Sequence, residues 1–216
     1  MRTVLASEGG NLVVAGLAIL VIVGCSSFLV GALNPATVLA RILGKDLRGS
    51  GSGNPGATNA GRVLGVKWGV VVGVLDVLKG FVPCWIALRT SGWLVASVAG
   101  VAVVLGHMFS PYLKGRGGKG VATALGALLA VTPWVALVAV VAFAILVGLL
   151  KRVGEASVGT CLVLVVCGVV GLTGVVPLVR PELLGVFVIV LGLLVLARHR
   201  RNIEAGWRRR RAFPST

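Results

Sequence analysis

Residues 121–150 read VATALGALLAVTPWVALVAVVAFAILVGLL, thirty consecutive positions without a charge. A membrane-crossing helix needs about 20 apolar residues and roughly 17 can suffice, so this run is too long for one crossing. Thr132-Pro133 divides it, because proline cannot continue a helix interior and biases the residue before it away from helix. Two spans result, a short one over 121–131 and a second ending at Leu150. Working outward, the residues upstream supply uncharged 12–33, then 68–88, which holds only Asp76 and Lys79, then 93–108. Downstream lie 157–176 and 183–197. The expectation is an all-α polytopic transmembrane helical bundle of seven spans. It is a single domain over 1–216, with 201–216 a basic tail.

Composition points the same way. The chain has 216 residues, is 57% hydrophobic, and contains only six Asp and Glu residues, too few to cover a water-soluble domain of this length. A net charge of +15 would ordinarily suggest nucleic acid, but the charges sit in short clusters between long apolar runs. That placement excludes nucleic acid as the partner and matches the lysine and arginine excess of cytoplasmic loops. Arg41, Lys45, Arg48, Arg62, Lys67, Lys114, Arg116, Lys119, Lys151, Arg152, Arg198, Arg200, Arg201 and the run Arg208, Arg209, Arg210, Arg211 fall on one side of a seven-span chain. Arg2, Arg89 and Arg180 fall on the other. The asymmetry puts the N-terminus outside and the C-terminus in the cytoplasm.

Cysteine and histidine usage excludes other chemistries. Cys25, Cys84, Cys161 and Cys167 lie in apolar stretches without a CxxC pair, and His107 and His199 are the two histidines, so no metal site is expected. Ile22-Val23-Gly24-Cys25 resembles a lipoprotein cleavage site, but its leader carries one basic residue, Arg2, offset by Glu8. We expect the segment to remain a span. Asp76 and Lys79, three apart on one helical face, read as a structural ion pair.

Two loops carry the chemistry. The first, GSGSGNPGATNAGRVLG over 49–65, has the glycine density that lets a backbone approach a ligand and turn successive N–H groups toward an anion. Ser52, Asn54, Thr58 and Asn59 add uncharged donors, and Arg62 adds a cation able to grip phosphate bidentately. The second loop, GHMFSPYLKGRGGKGVATALG over 106–126, again runs glycine, lysine and arginine into an apolar helix. Lys119 between Gly118 and Gly120 invites comparison with a nucleotide-binding loop. However, Gly120 stands where Ser or Thr would be needed, and no acidic magnesium site accompanies it. His107 at the membrane boundary reads equally as a base, a phosphate donor or a packing residue. Two anion cradles on one face suit a reaction between two phosphate-bearing substrates. In the tail, HRRNIEAGWRRRR from His199, the arginine run suits anionic lipids.

These motifs, in this order, resemble the bacterial acyl-phosphate:glycerol-3-phosphate acyltransferase family, PlsY. The resemblance rests on GALNPATVLARILG, GSGNPGATN with Arg62, DVLKG from Asp76, GHMFSPYLKGRGGKGVAT, and His199 with Asn202-Ile203, and covers nearly the whole chain. It implies seven spans and cytoplasmic motif loops. It also implies a reaction in which a fatty acyl group passes from acyl phosphate to the sn-1 hydroxyl of glycerol 3-phosphate, giving lysophosphatidic acid and phosphate. Carried over, Ser52 and Arg62 match residues needed for activity, within a first loop where Gly51, Gly53, Asn54, Thr58 and Asn59 bind substrate. Gly117, Gly118 and Gly120 match the cradle around Lys119, a principal phosphate ligand. His199 and Asn202 match the C-terminal motif, and Glu204 is left without a role. Gly154-Glu155-Ala156-Ser157 departs from the Ser-Leu-Ala-Ser turn of many members, leaving Ser157 as the match. Arg116 replaces a common lysine, and Ser110-Pro111 shifts the usual proline by one.

An acyl phosphate is already activated, so a covalent enzyme intermediate is unnecessary, in keeping with a chain lacking a nucleophile–His–acid set. We expect direct attack, with the substrate's own phosphate or His107 taking the proton. The acyl tail would lie among the helices from the bilayer side. No cofactor and no coenzyme A are expected, and the partners are the two substrates and membrane lipids, with the enzyme a monomer in the bacterial cytoplasmic membrane. The alternative is a small membrane transporter for phosphorylated metabolites or anions; its polar residues would be expected at mid-depth, whereas here they cluster at one face.

Overall fold

The computed structural model describes residues 2–175, 180–200, 202–204 and 207, with side chains from Asn11 onward. The described residues are helical without strands. They form α1 (Arg2–Ala32), α2 (Pro35–Ile42), α3 (Ala57–Val63), α4 (Val66–Met108), α5 (Val121–Val131), α6 (Pro133–Leu150), α7 (Val153–Leu172) and α8 (Pro181–Ala197), with a 3-10 turn at Pro111–Leu113. Four apolar runs are long enough to cross a membrane: Asn11–Ile42, Val66–Leu113, Pro133–Leu150 and Val153–Leu172. α5 and α8 are shorter apolar helices. At about 1.5 Å per residue, the eleven residues of α5 cover roughly 16 Å, about half the hydrocarbon thickness.

The break at Thr132-Pro133 falls where the sequence places it: α5 ends at Val131 and α6 starts on Pro133, whose missing N–H costs nothing at a helix start. A second break falls between the runs 68–88 and 93–108, also where the sequence separates them. Inside α4, Gly92 has φ 84° and ψ −174°, a conformation essentially reserved for glycine. Asp76 Oδ1 lies 3.5 Å from His107 Nδ1. A straight helix would hold those residues on the order of 45 Å apart. α4 is therefore a hairpin whose arms, 66–91 and 93–108, fold back on each other at Gly92.

Two boundaries differ from expectation. The loop anticipated over 151–157 shrinks to Lys151 and Arg152. Lys151, at φ 53°, ends α6, and α7 starts at Val153, putting Glu155 in its first turn and Ser157 on the helix. The chain offers no proline or glycine pair to hold this segment open, and Arg152 lies 3.6 Å from Glu155 one turn on. The first glycine-rich loop also contains helix: α3 sits within it, and α2 lies between the end of α1 and the loop's start. The expected end of the sixth span at Val176, and the tail's arginine run, lie outside the described residues.

Helices approach where both partners lack a side chain. A Cβ on Gly31 would strike the Val103 carbonyl, and one on Gly106 the Phe28 carbonyl, so α1 and the second arm of α4 pack through a reciprocal glycine pair. The first arm and α5 repeat the device: Gly80 faces the Thr123 carbonyl and Gly126 the Val77 carbonyl. Without a hydrophobic drive between helices in lipid, such close backbone packing is what holds them. The main core fills the space between the hairpin, α5 and α8 with Val103, Val104, Met108, Leu128, Phe187, Val188 and Leu191 among others. Gly106→Val and Gly126→Val should each lose about 1–3 kcal/mol or more, as overpacked interfaces do. Gly16→Val, with nothing within 4 Å of the added carbon, should stay within about 0.5 kcal/mol. Thermal unfolding in detergent reads the difference.

Candidate active site

The site lies where the first loop, the second loop and the end of α8 meet, and each is held by polar side chains acting on backbone. Asn34 caps α2: its Oδ1 accepts from Thr37 N–H (2.8 Å) and Thr37 Oγ1 (2.7 Å), and its Nδ2 donates to Pro55 O (2.9 Å). The carbonyls left over at the end of α1 are also taken. Ser110 Oγ donates to Ala32 O at 2.6 Å, and Lys79 Nζ donates to Leu33 O at 2.7 Å. Arg48 Nη2 reaches across to Arg116 O at 2.8 Å, joining the two loops.

The first loop is organised by Asn59. This side chain, 1% exposed, accepts from Ser52 N–H through Oδ1 (2.8 Å) and donates through Nδ2 to Leu47 O (3.0 Å) and Ser50 O (3.1 Å). Expected as a substrate ligand, it is placed inside the loop as its scaffold. Gly51, at φ 62°, leaves no room for a Cβ beside Asn59 Oδ1. Gly53 donates its N–H to Ser50 O and the Asn54 carbonyl accepts from Gly56 N–H, so much of the loop's backbone is satisfied internally. The Ser52 side chain, Thr58 and Arg62 face outward and are exposed, Arg62 in the last turn of α3.

The second loop closes onto the hairpin. Gly117 N–H donates to Met108 O (3.0 Å) and Gly118 N–H to His107 O (3.1 Å). A Cβ at Gly117 would meet the His107 carbonyl, and one at Gly118 the ring Nε2 of His107. These glycines therefore allow close approach, and their N–H groups are already used. His107 lies beneath them, 4% exposed, with Nδ1 toward Asp76, whose Oδ1 is also 2.8 Å from Lys79 Nζ. The expected Asp76–Lys79 pair is present, with a histidine beside it. Gly120, at φ 83°, turns the chain into α5, whose first N–H groups no side chain caps.

Lys119 is the convergence point. Its Nζ donates to Asn202 Oδ1 at 2.6 Å, bringing the second loop to the C-terminal motif. Burial first, and then the charge of Arg62, lower its pKa from the ordinary lysine value. His199, 1% exposed, has Nδ1 2.8 Å from Val195 O. A carbonyl can only accept, so Nδ1 carries the proton and Nε2 the lone pair. Burial lowers the pKa of His199, the bond to Val195 opposes this, and the Lys119 charge adds to the lowering, which favours neutral imidazole. Arg62, Lys119, His199 and Asn202 thus share one neighbourhood, and a Cβ on Gly154 would collide with Asn202 Nδ2, which brings the start of α7 beside them. Ser157 is buried there, its Oγ donating back to Val153 O at 2.9 Å.

Ion pairs among the described residues are Lys79–Asp76, His107–Asp76 and Arg152–Glu155; none neutralises Lys119 or Arg62. No group of three or more metal-ligating side chains occurs among them. Sequence reasoning missed Arg198, read only as a topology charge, and Asn34 and Ser110, which fasten the loops. Asn34 before Pro35 carries a helix-start signal that could have found it; Arg198 and Ser110 act on distant carbonyls and have no local signal. Asn59→Ala would leave the buried Leu47 carbonyl and the Ser52 N–H unpaired, while Ser50 O keeps Gly53 N–H, at about 1–3 kcal/mol per unsatisfied group. A lower unfolding midpoint and faster hydrogen exchange at the Ser52 amide are the expected readouts.

Comparison with known proteins gives the family. A family model described as glycerol-3-phosphate acyltransferase matches residues 19–209. A glycerol-3-phosphate acyltransferase of Aquifex aeolicus (strain VF5) is 41% identical over 188 residues, covering 82% of this chain and 90% of the relative. One of Syntrophotalea carbinolica is 40% identical over 184 residues, covering 83% and 89%. Among solved structures, the chain is similar to PlsY (YgiH), an integral membrane glycerol 3-phosphate acyltransferase, in its glycerol 3-phosphate form. The TM-score is 0.81 at 37% identity, over 88% of this chain and 93% of that one. The lysophosphatidic acid form of that protein gives 0.77 at the same identity and coverage. The chain belongs to the glycerol-3-phosphate acyltransferase family of integral membrane enzymes.

Proposed function

We propose that the protein transfers a fatty acyl group from acyl phosphate to the sn-1 hydroxyl of glycerol 3-phosphate, releasing lysophosphatidic acid and inorganic phosphate. The observation that carries this reading is the pair of cations at the loop junction. The Arg62 charge lies close enough to Lys119 to lower its pKa, and among the described residues no ion pair with an acid relieves either. An arrangement of that kind is relieved by an anion, and phosphate accepts from an ammonium and a guanidinium together. The uncapped N-terminus of α5 points the same way. Ser52, Asn54, Thr58 and Gly120 complete the contact set we assign to the substrates. Asn59, Gly51, Gly53, Gly117 and Gly118 shape it, and Ser157 is assigned to it from α7, one turn beyond the Gly154 that lies against Asn202.

In the step proposed, the hydroxyl oxygen attacks the acyl carbonyl carbon and an ester C–O bond forms. The bond from that carbon to the phosphate oxygen breaks, and the proton passes to the substrate's own phosphate. His107 supports the loop from beneath. Orientation and electrostatic stabilisation are the protein's share, since the leaving group is already good. His199 Nε2, with its lone pair outward from the Val195 bond, and Asn202 orient the acceptor beside Lys119. We place the α4 arms with α1, α5, α6, α7 and α8 as seven spans, N-terminus outside and site on the cytoplasmic face, for a monomer in the bacterial plasma membrane. The basic loops suit anionic lipid as well as substrate.

Purified protein in detergent or lipid, given palmitoyl phosphate and glycerol 3-phosphate, should form lysophosphatidic acid with no coenzyme A added. Flux of glycerol 3-phosphate into proteoliposomes without product would support the transporter reading instead. Lys119→Ala and Arg62→Ala should each lower kcat/KM by on the order of 10²–10³-fold, as the loss of one charge-stabilising donor does. Because Lys119 is held below the ordinary lysine range, its protonated form is lost earlier as pH rises. The alkaline limb of kcat/KM should therefore fall below the pH at which an exposed lysine titrates, and Lys119→Arg should move that limb upward.

A further inference from the structure

The sequence makes Arg198 look like one more basic residue after a last span. Its side chain is turned the other way. The guanidinium Nη2 donates to Met108 O (3.1 Å), Gly117 O (3.1 Å) and Gly118 O (3.4 Å), and Nε also faces Gly118 O at 3.4 Å. Its Cζ sits 5.2 Å from the centre of the Phe109 ring. No acid pairs with it among the described residues. One planar cation thus collects carbonyls from the end of the α4 hairpin and from the second loop, while belonging to the end of α8.

The neighbours in the chain give this contact its consequence. Gly118 is followed directly by Lys119, and Arg198 directly by His199. Tying Arg198 to Gly118 sets the two following residues side by side, and Lys119 Nζ then meets Asn202 Oδ1 one turn further on, at 2.6 Å. The N–H groups of Gly117 and Gly118 are held by Met108 O and His107 O, and their carbonyls by Arg198. Both faces of the glycine pair before Lys119 are therefore fixed.

We infer that Arg198 is a positioning residue of the reaction: its guanidinium clamps the Gly117-Gly118 carbonyls so that Lys119 is presented to the phosphate in register with His199 and Asn202. This rests on the proposed site. It assigns Arg198 no contact with substrate and no role as a cytoplasmic topology charge alone. A planar fork with several fixed N–H directions is what the contact uses, and lysine's single ammonium lacks it.

The test compares parent, Arg198→Ala, Arg198→Lys and Phe109→Leu in detergent. Glycerol 3-phosphate binding is followed by calorimetry and kcat/KM with palmitoyl phosphate on the same preparations. Misplacement of a catalytic group by about 1 Å can cost on the order of 100-fold, so Arg198→Ala should lose about that much in kcat/KM with a raised Kd for glycerol 3-phosphate. Arg198→Lys should stay nearer the alanine variant than the parent, and Phe109→Leu should fall between. A residue that only packs would lower the active fraction and leave Kd and KM unchanged, which overturns the proposal. Full recovery in Arg198→Lys also overturns it, because charge alone would then be sufficient. Should Arg198→Ala not fold, the lysine and Phe109→Leu variants decide by the same Kd criterion. A parent that binds glycerol 3-phosphate but makes no product defeats the donor assignment, while the Kd comparison still judges the clamp.

Discussion

A carboxylate buried in an apolar bundle is the constraint around which the structure is arranged. Asp76 is 2% exposed, and an ion so placed costs several kcal/mol unless it is paired. Lys79, one turn along, and His107, from the opposite arm of the hairpin, both come to its Oδ1. Each then reaches a further element. Lys79 also donates to Leu33 at the end of α1, and the ring of His107 is the surface on which Gly118 lies. Through one charge, α1, both arms of α4 and the loop bearing Lys119 are put in contact, and Gly92 is the hinge that lets the arms meet.

The glycines serve this arrangement by being absent side chains. Gly31, Gly80, Gly106 and Gly126 admit backbone carbonyls of neighbouring helices, and Gly117 and Gly118 admit His107. Those in the loops had suggested N–H groups free for an anion. In the folded chain, Gly53, Gly117 and Gly118 donate to the protein's own carbonyls, and Ser52 N–H donates to Asn59. In the function proposed, the electrostatic work of the site falls instead to side chains and to the start of α5. Among the described residues no acid is ion-paired with Lys119 or Arg62.

This division of labour suits a reaction whose electrophile arrives activated. In the reaction proposed, little covalent chemistry is asked of the chain, and among the described residues no buried cysteine or serine is arranged with a base as a nucleophile would be; Ser157 donates to its own helix. What must be supplied is geometry, and it is supplied by three segments far apart in the chain that are cross-tied by side chain to backbone bonds: Arg48 to Arg116, Ser110 to Ala32, and Arg198 to Gly117 and Gly118.

The apolar helices, the division of 66–108 into two runs, the Thr132-Pro133 break, the Asp76–Lys79 pair and the two basic glycine loops were legible in the sequence. They depend on local properties: apolar length, proline's missing donor, helical spacing, and charge per loop. The motifs also named most of the residues now found near Lys119. Tertiary structure alone decided that the turn between the two arms of Val66–Met108 is a single residue, Gly92, since nothing in Ser91-Gly92-Trp93 fixes its backbone angles. It also decided that Asn59 is scaffold, that His107 is roofed by Gly118, and that Arg198 points inward. Those roles are set by carbonyls between 9 and 90 positions away, and a hydrogen bond to a distant backbone leaves no trace in the identity of the residue that accepts it.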